Sequence, residues 1–137
     1  MRFLAIDVGD RRFGLAVSDP LGMIASPAGS VLRRRGKKIP VAPLIAKAEE
    51  LGVGEFVVGL PLDGEGNETP RSADARWLAA ELTRRTGKPA RLVDELYTTA
   101  SARRAIHEMG GSIRGRRGDV DALAATVLLQ HALGLAR

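Results

Sequence analysis

Three acidic residues stand where this chain could do chemistry. Asp7 closes the apolar run Phe3-Leu4-Ala5-Ile6 and precedes Val8-Gly9, Glu95 directly follows the short segment Arg91 to Asp94, and Asp121 begins the apolar C-terminal stretch. A carboxylate at the end of a strand buried on both faces needs a cation to meet it, because the interior expels an unpaired charge. Three carboxylates drawn together would repel one another and raise their own pKa values, and a divalent metal removes that penalty. Metal ions held in this way could activate water and stabilise the leaving oxygen in phosphodiester hydrolysis, a reaction that needs no Cys, His or Lys nucleophile. The competing readings are local ones. Asp7 could satisfy turn amides in a hairpin, and Asp121 could serve only as a first-turn acid that complements a helix dipole.

Arginines frame these acids. Arg11 and Arg12 follow Asp7, and Arg114, Arg116 and Arg117 precede Asp121, so a phosphate backbone approaching the carboxylates would meet guanidinium groups first. The balance of the chain agrees with a polyanionic partner: 21 Lys and Arg against 16 Asp and Glu give a formal charge of +5. Nucleic acid is favoured over a membrane surface, since no amphipathic basic helix is evident. With no cysteine and only two histidines, His107 and His131, thiolate and histidine-rich metal sites are excluded. Any metal is then a hard, oxygen-liganded one, Mg2+ or Mn2+. No signal peptide and no membrane-spanning stretch can be found, so the expectation is a cytoplasmic protein. The 137 residues suit one domain, 1–137, and are too few for two lobes closing on a nucleotide, which disfavours a kinase of the actin type.

The elements that must position these residues can be read from periodicity. Strands are expected at Arg2 to Val8, at Phe13 to Ser18 and within Gly22 to Leu32, joined so tightly that they are antiparallel neighbours. Pro27 and Gly29 place the third at an edge. Val41, Leu44, Ile45, Ala48 and Leu51 recur at helical spacing with Gly52 as a stop, and the basic stretch from Arg33 to Lys38 before them reads as a solvated loop. Glu55 to Leu60 reads as a buried strand, residues 63–70 as a mobile polar loop, and Ser72 to Arg85 as a second helix. A short strand, Arg91 to Asp94, is followed by a helix from Thr98 or Thr99 to Met109 and a basic loop over residues 110–118. Val120 to Leu135 forms a last helix, packed deeply on the sheet or against a partner subunit. The sum is an α/β fold, a mixed sheet with helices on both faces. Trp77 and Tyr97 are expected in the core and His131 in a packed or interface position.

Asp7-Val8-Gly9-Asp10-Arg11-Arg12-Phe13-Gly14-Leu15-Ala16-Val17-Ser18-Asp19, Val57-Val58-Gly59-Leu60-Pro61-Leu62 with Asp63-Gly64, Asp94-Glu95 with Thr98-Thr99, and Asp121 with Ala124-Ala125 together resemble the YqgF/RuvX family over essentially the whole chain. The resemblance implies a ribonuclease H-like fold with a mixed five-stranded sheet, a homodimer, and a metal-dependent nuclease site in which Asp7, Glu95 and Asp121 match the family's acidic positions. Members are described as Holliday junction resolvases and as nucleases for the 5′ end of pre-16S ribosomal RNA, which implies branched DNA, structured RNA, or both as substrate. Two positions depart from the pattern. Leu96 stands where an arginine is common, with Arg103 or Arg104 as conceivable substitutes, and Asp119 stands where a basic residue is common, as an N-cap or a fourth acid. Leu96 also motivates the alternative of a non-catalytic nucleic-acid-binding or ribosome-assembly factor that keeps the fold.

Overall fold

The apolar run that ends at Asp7 is the central strand of the sheet. In the computed structural model, which describes residues 1–33, 38–94 and 117–135, strand β1 (Arg2–Asp7) is flanked on one side by β2 (Arg12–Ser18) and β3 (Ala25–Leu32) and on the other by β4 (Val53–Leu60) and β5 (Ala90–Asp94). The order is β3-β2-β1-β4-β5. The first three strands pair antiparallel, and β4 and β5 run parallel to β1. The sheet is therefore mixed and five-stranded, with β3 at an edge. Pro27 sits there opposite Ala16, beside an irregularity in the β2–β3 register. An edge is where a residue without an N–H is tolerated.

Strand alternation sorts the apolar side chains onto two faces. Leu4, Ile6, Phe13, Leu15, Phe56 and Val58 point into a cluster closed by helices α1 (Val41–Leu51) and α2 (Pro70–Thr86). Ala5, Ala16, Val57 and Val93 point the other way, onto Ala125, Leu128, Leu129, Ala132 and Leu133 of helix α3 (Arg117–Leu135). Each fully buried Leu, Ile or Phe contributes about 1.5–3 kcal/mol of transfer free energy, so both layers are strongly held. The long apolar C-terminal segment thus covers the sheet itself.

The helix ends follow the chemistry of their flanking residues. Gly52 and Gly87 close α1 and α2 at φ values of 68° and 73°, a left-handed conformation that glycine adopts without a Cβ penalty. At the start of α2, Thr69 and Ser72 form a reciprocal capping box ahead of Pro70 at the first helical position. Ser72 accepts the Thr69 N–H at 2.8 Å and donates to the Pro61 carbonyl, which fixes α2 to the end of β4.

Four expectations change. Residues 63–69 form a turn closed on itself, with Pro70 already in α2: Asp63 accepts the N–H groups of Glu65 and Asn67, each at 2.9 Å, and Leu62 pairs with Glu68. Those amides hold the Asp63 carboxyl below its usual pKa. Helix α3 begins at Arg117, so that residue belongs to a helix and not to the basic loop, and Asp119 and Asp121 lie inside the helix and not at its border. Trp77 is 48% exposed, on the outer side of α2, because the inward positions are taken by Ala75, Leu78 and Leu82. His131 is exposed in the single chain, which rules out the packed position and leaves the interface one as a proposal, while its neighbours Leu129, Ala132 and Leu133 turn inward. The proposed helix over residues 98–109, with Tyr97 and His107, lies outside the described residues.

Candidate active site

Asp7 ends β1 on the face shared with Phe3 and Ala5, which is the face that α3 covers. Its neighbour across the ladder is Gly14 of β2. A Cβ at Gly14 would fall 2.0 Å from the backbone oxygen and 2.3 Å from the carbonyl carbon of Asp121, so the backbone of α3 rests directly on the β2 backbone. Only glycine permits that approach. The small side chains Ala122, Ala124 and Ala125, all buried, continue the close seat of the helix on the sheet. Gly14 thus links the register of Asp7 to the height of Asp121.

The electrostatics report the same proximity. The Asp121 carboxyl is pushed above its ordinary pKa, first by its burial and then by the Asp7 carboxylate, while the Arg12 guanidinium opposes the rise. Two half-buried carboxylates facing one another with partial cationic relief make an oxygen donor set suited to a hard divalent cation. Among the described residues no group of three His, Cys, Asp or Glu side chains converges as a metal cluster. Glu95 lies outside the described residues. It follows Asp94, which ends β5 opposite Leu60, and β5 runs parallel to β4 and β1 toward the edge that carries Asp7.

The loop between β1 and β2 is shaped and anchored. A Cβ at Gly9 would sit 2.2 Å from the Arg12 carbonyl oxygen, so the turn after Asp7 requires glycine. Arg33, just past β3, donates to the Gly9 carbonyl at 3.4 Å and to Asp74 of α2 at 3.2 Å, and its guanidinium lies 5.8 Å over the Phe13 ring. Asp10 pairs with Arg71, also of α2. The loop is therefore tied to α2 at two points, on the opposite side of the sheet from α3. Arg12 is half-buried beside the acids, and Arg11 is exposed.

Of the residues expected at the site, the structure brings together Asp7, Asp121 and Arg12, with Arg11 at the rim. Arg117 is the first residue of α3, in the same turn region as Asp121. Arg114 and Arg116 lie outside the described residues, as do Leu96, Arg103 and Arg104. Sequence reasoning missed Arg33, Asp74, Asp10 and Arg71. Arg33 was grouped with a solvated basic run, yet its side chain is only 13% exposed. Its position one residue after a strand that ends beside the Asp7 loop was the available signal.

The sheet order β3-β2-β1-β4-β5 and the helices on both faces are those of a ribonuclease H-like fold, with Asp7 at the end of the central strand and Asp121 inside the last helix. Solved structures agree: RuvC of Thermus thermophilus in complex with a Holliday junction matches at a TM-score of 0.58 and 17% identity, covering 99% of this chain and 95% of that one. The chain belongs to the RuvX family, described as Holliday junction resolvase, whose model matches residues 1–134. Curated relatives carry the name "Putative pre-16S rRNA nuclease". One from Anaeromyxobacter is 44% identical over 130 residues, covering 95% of this chain and 94% of its own length. Another, from Clavibacter michiganensis, is 43% identical, with coverages of 95% and 81%.

Proposed function

We propose that the chain is a nuclease that hydrolyses phosphodiester bonds in structured nucleic acid, with the 5′ end of pre-16S ribosomal RNA, Holliday junctions, or both as substrate. The observation that carries this reading is the juxtaposition of Asp7 and Asp121 across Gly14, with Arg12 beside them. Family membership and the names of the relatives support it. In this reading Asp7, Asp121 and Glu95 hold Mg2+ or Mn2+. When bound, such a cation would polarise the scissile phosphate and lower the pKa of a water so that it could lose a proton and attack. Asp7 and Asp121 are fixed in place, the first by the ladder to Gly14 and the second by the seat of α3. Arg12 and Arg11, with Arg114, Arg116 and Arg117, draw the phosphate backbone toward the acidic edge.

No helix among the described residues is long and apolar enough to cross a membrane. We propose a cytoplasmic enzyme made of one domain, residues 1–137. We further propose a homodimer, whose two-fold axis would match paired cuts across a four-way junction. Cleavage of a four-way DNA junction and a 5′-extended ribosomal RNA precursor in magnesium or manganese, lost in Asp7→Asn, tests the assignment. Wild-type protein that binds both substrates and cuts neither would instead support the non-catalytic assembly factor that Leu96 suggests.

A further inference from the structure

On the layer formed by α1 and α2, a cavity of about 630 Å³ opens between the start of α1 and the outer side of α2. Its lining includes Arg33, Lys38, Pro40, Asp74, Trp77 and Arg85. The volume is that of a site for a small molecule or a nucleotide unit, within the usual range of about 300–1,000 Å³. Trp77, the one tryptophan in the chain, is half exposed here and leaves a broad aromatic surface in contact with solvent. Lys38 and Arg85 are exposed beside it. Three cationic side chains line the cavity against the single acid Asp74. Arg33 is engaged by Asp74, and Arg85 shares Glu81 of α2 at 3.2 Å. Lys38 is thus the cation with no ion pair to another described residue, and Arg85 would have to divide its guanidinium between Glu81 and a phosphate.

The cavity is not remote from the acidic edge. Arg33, part of its wall, is the residue that donates to the Gly9 carbonyl in the loop that follows Asp7. Helices α1 and α2 both begin at the edge where β1 ends, since each follows a strand running in the β1 direction. The acids lie on the α3 face and the cavity on the α1/α2 face, so a polyanionic strand that reaches both must pass over the loop after Asp7 at the sheet edge. Aromatic faces stack on any base, and flanking cations hold the backbone that joins successive bases.

We propose that this cavity takes an unpaired nucleotide of the substrate strand, with its base against Trp77 and its flanking phosphates at Lys38 and Arg85. The site deepens the nuclease reading and rests on it: the substrate would carry a single-stranded segment next to the cleaved bond. A paired base cannot turn its face to Trp77, so a blunt duplex should leave this site empty.

Because Trp77 is the sole tryptophan, its emission reports the cavity directly. A single-stranded tetranucleotide added to the Asp7→Asn protein should quench Trp77 saturably, while a blunt duplex, the corresponding mononucleotide and an oligoglutamate peptide should not. With a labelled oligonucleotide followed by anisotropy, Trp77→Ala should weaken binding about fivefold or more, Trp77→Phe should largely restore it, and Lys38→Ala with Arg85→Ala should weaken it and flatten its salt dependence. Unchanged emission while anisotropy shows the strand bound would overturn the proposal. So would equal quenching by the mononucleotide, which would mark a free-nucleotide site, or by the peptide, which would mark a protein-binding one. Cleavage is scored separately on wild-type protein: cutting with a silent Trp77 sinks the cavity alone, and quenching without cutting sinks the nuclease reading alone.

Discussion

Gly14→Ala puts the account of the site under the greatest strain. The added Cβ would lie 2.0 Å from the Asp121 oxygen and 2.3 Å from its carbonyl carbon, against an ordinary contact of at least 3.4 Å. Both obstructing atoms are backbone, so no side chain can rotate away. Helix α3 must lift by more than an ångström, or β2 must buckle. Overpacking a close contact costs about 1–3 kcal/mol and occasionally more, and the rigid partners here place Gly14→Ala at the upper end. A displacement of about 1 Å at a reacting centre can also cost roughly a hundredfold in rate. Denaturant unfolding should therefore show a loss of about 3 kcal/mol, and cleavage should fall by about two orders of magnitude in protein that is still folded. Gly54→Ala is the control, because its Cβ would be crowded by the Met1 side chain, at 2.7 Å, which can swing aside, and would meet the Arg2 carbonyl oxygen at an ordinary 4.0 Å. Gly134→Ala meets nothing and should be neutral or stabilising by a few tenths of a kcal/mol to about 1 kcal/mol. If Gly14→Ala unfolds at the wild-type midpoint and cleaves at the wild-type rate, α3 does not set the position of Asp121.

Three further outcomes follow from the same contacts. Asp121→Asn in metal-free buffer should stabilise the fold at neutral pH while abolishing cleavage, the trade expected of a functional acid. The sign follows from the raised pKa: the folded state binds the proton more tightly, so wild-type stability falls as pH climbs from 3.8 through the higher folded value. The advantage of the variant should accordingly vanish in acid, as thermal melts across pH would show. Arg33→Ala strips Gly9, Asp74 and the Phe13 ring of one shared partner and should cost about 1–3 kcal/mol. Its cleavage should fall mainly in kcat, because the loop after Asp7 loses a tie. Ser72→Ala leaves the Thr69 N–H and the Pro61 carbonyl without their partner at a buried site and should lower stability by about 1–2 kcal/mol in urea unfolding.

Much of this architecture is legible in the chain wherever a local rule and the tertiary contact agree. The uninterrupted apolar run before Asp7 gives the central strand, because both its faces are buried. Gly52 stops α1 where expected, since its left-handed φ is a purely local requirement. The start of α3 is different: Gly118 signals a loop, yet Arg117 and Gly118 are already helical. Trp77 shows the limit of residue type as a guide, because helical phase turns that position outward and size alone suggests a core. At the site, residue type and position in the chain marked Asp7 and Asp121, but the contact that joins them is a missing Cβ at Gly14, and an absent atom has no periodicity. Arg33 was hidden for a similar reason. Its partners Gly9 and Asp74 lie 24 and 41 residues away and meet it only once β3 is paired with β2.

The central claim is that Asp7 and Asp121 form one hydrolytic site. Wild type, Asp7→Asn and Asp121→Asn, incubated in magnesium and in manganese with a four-way DNA junction and a 5′-extended ribosomal RNA precursor, decide it when the products are mapped. Metal-dependent cuts by the wild type, lost in both variants while each still folds and binds the substrate, are the predicted result. Undiminished turnover by either variant would contradict it.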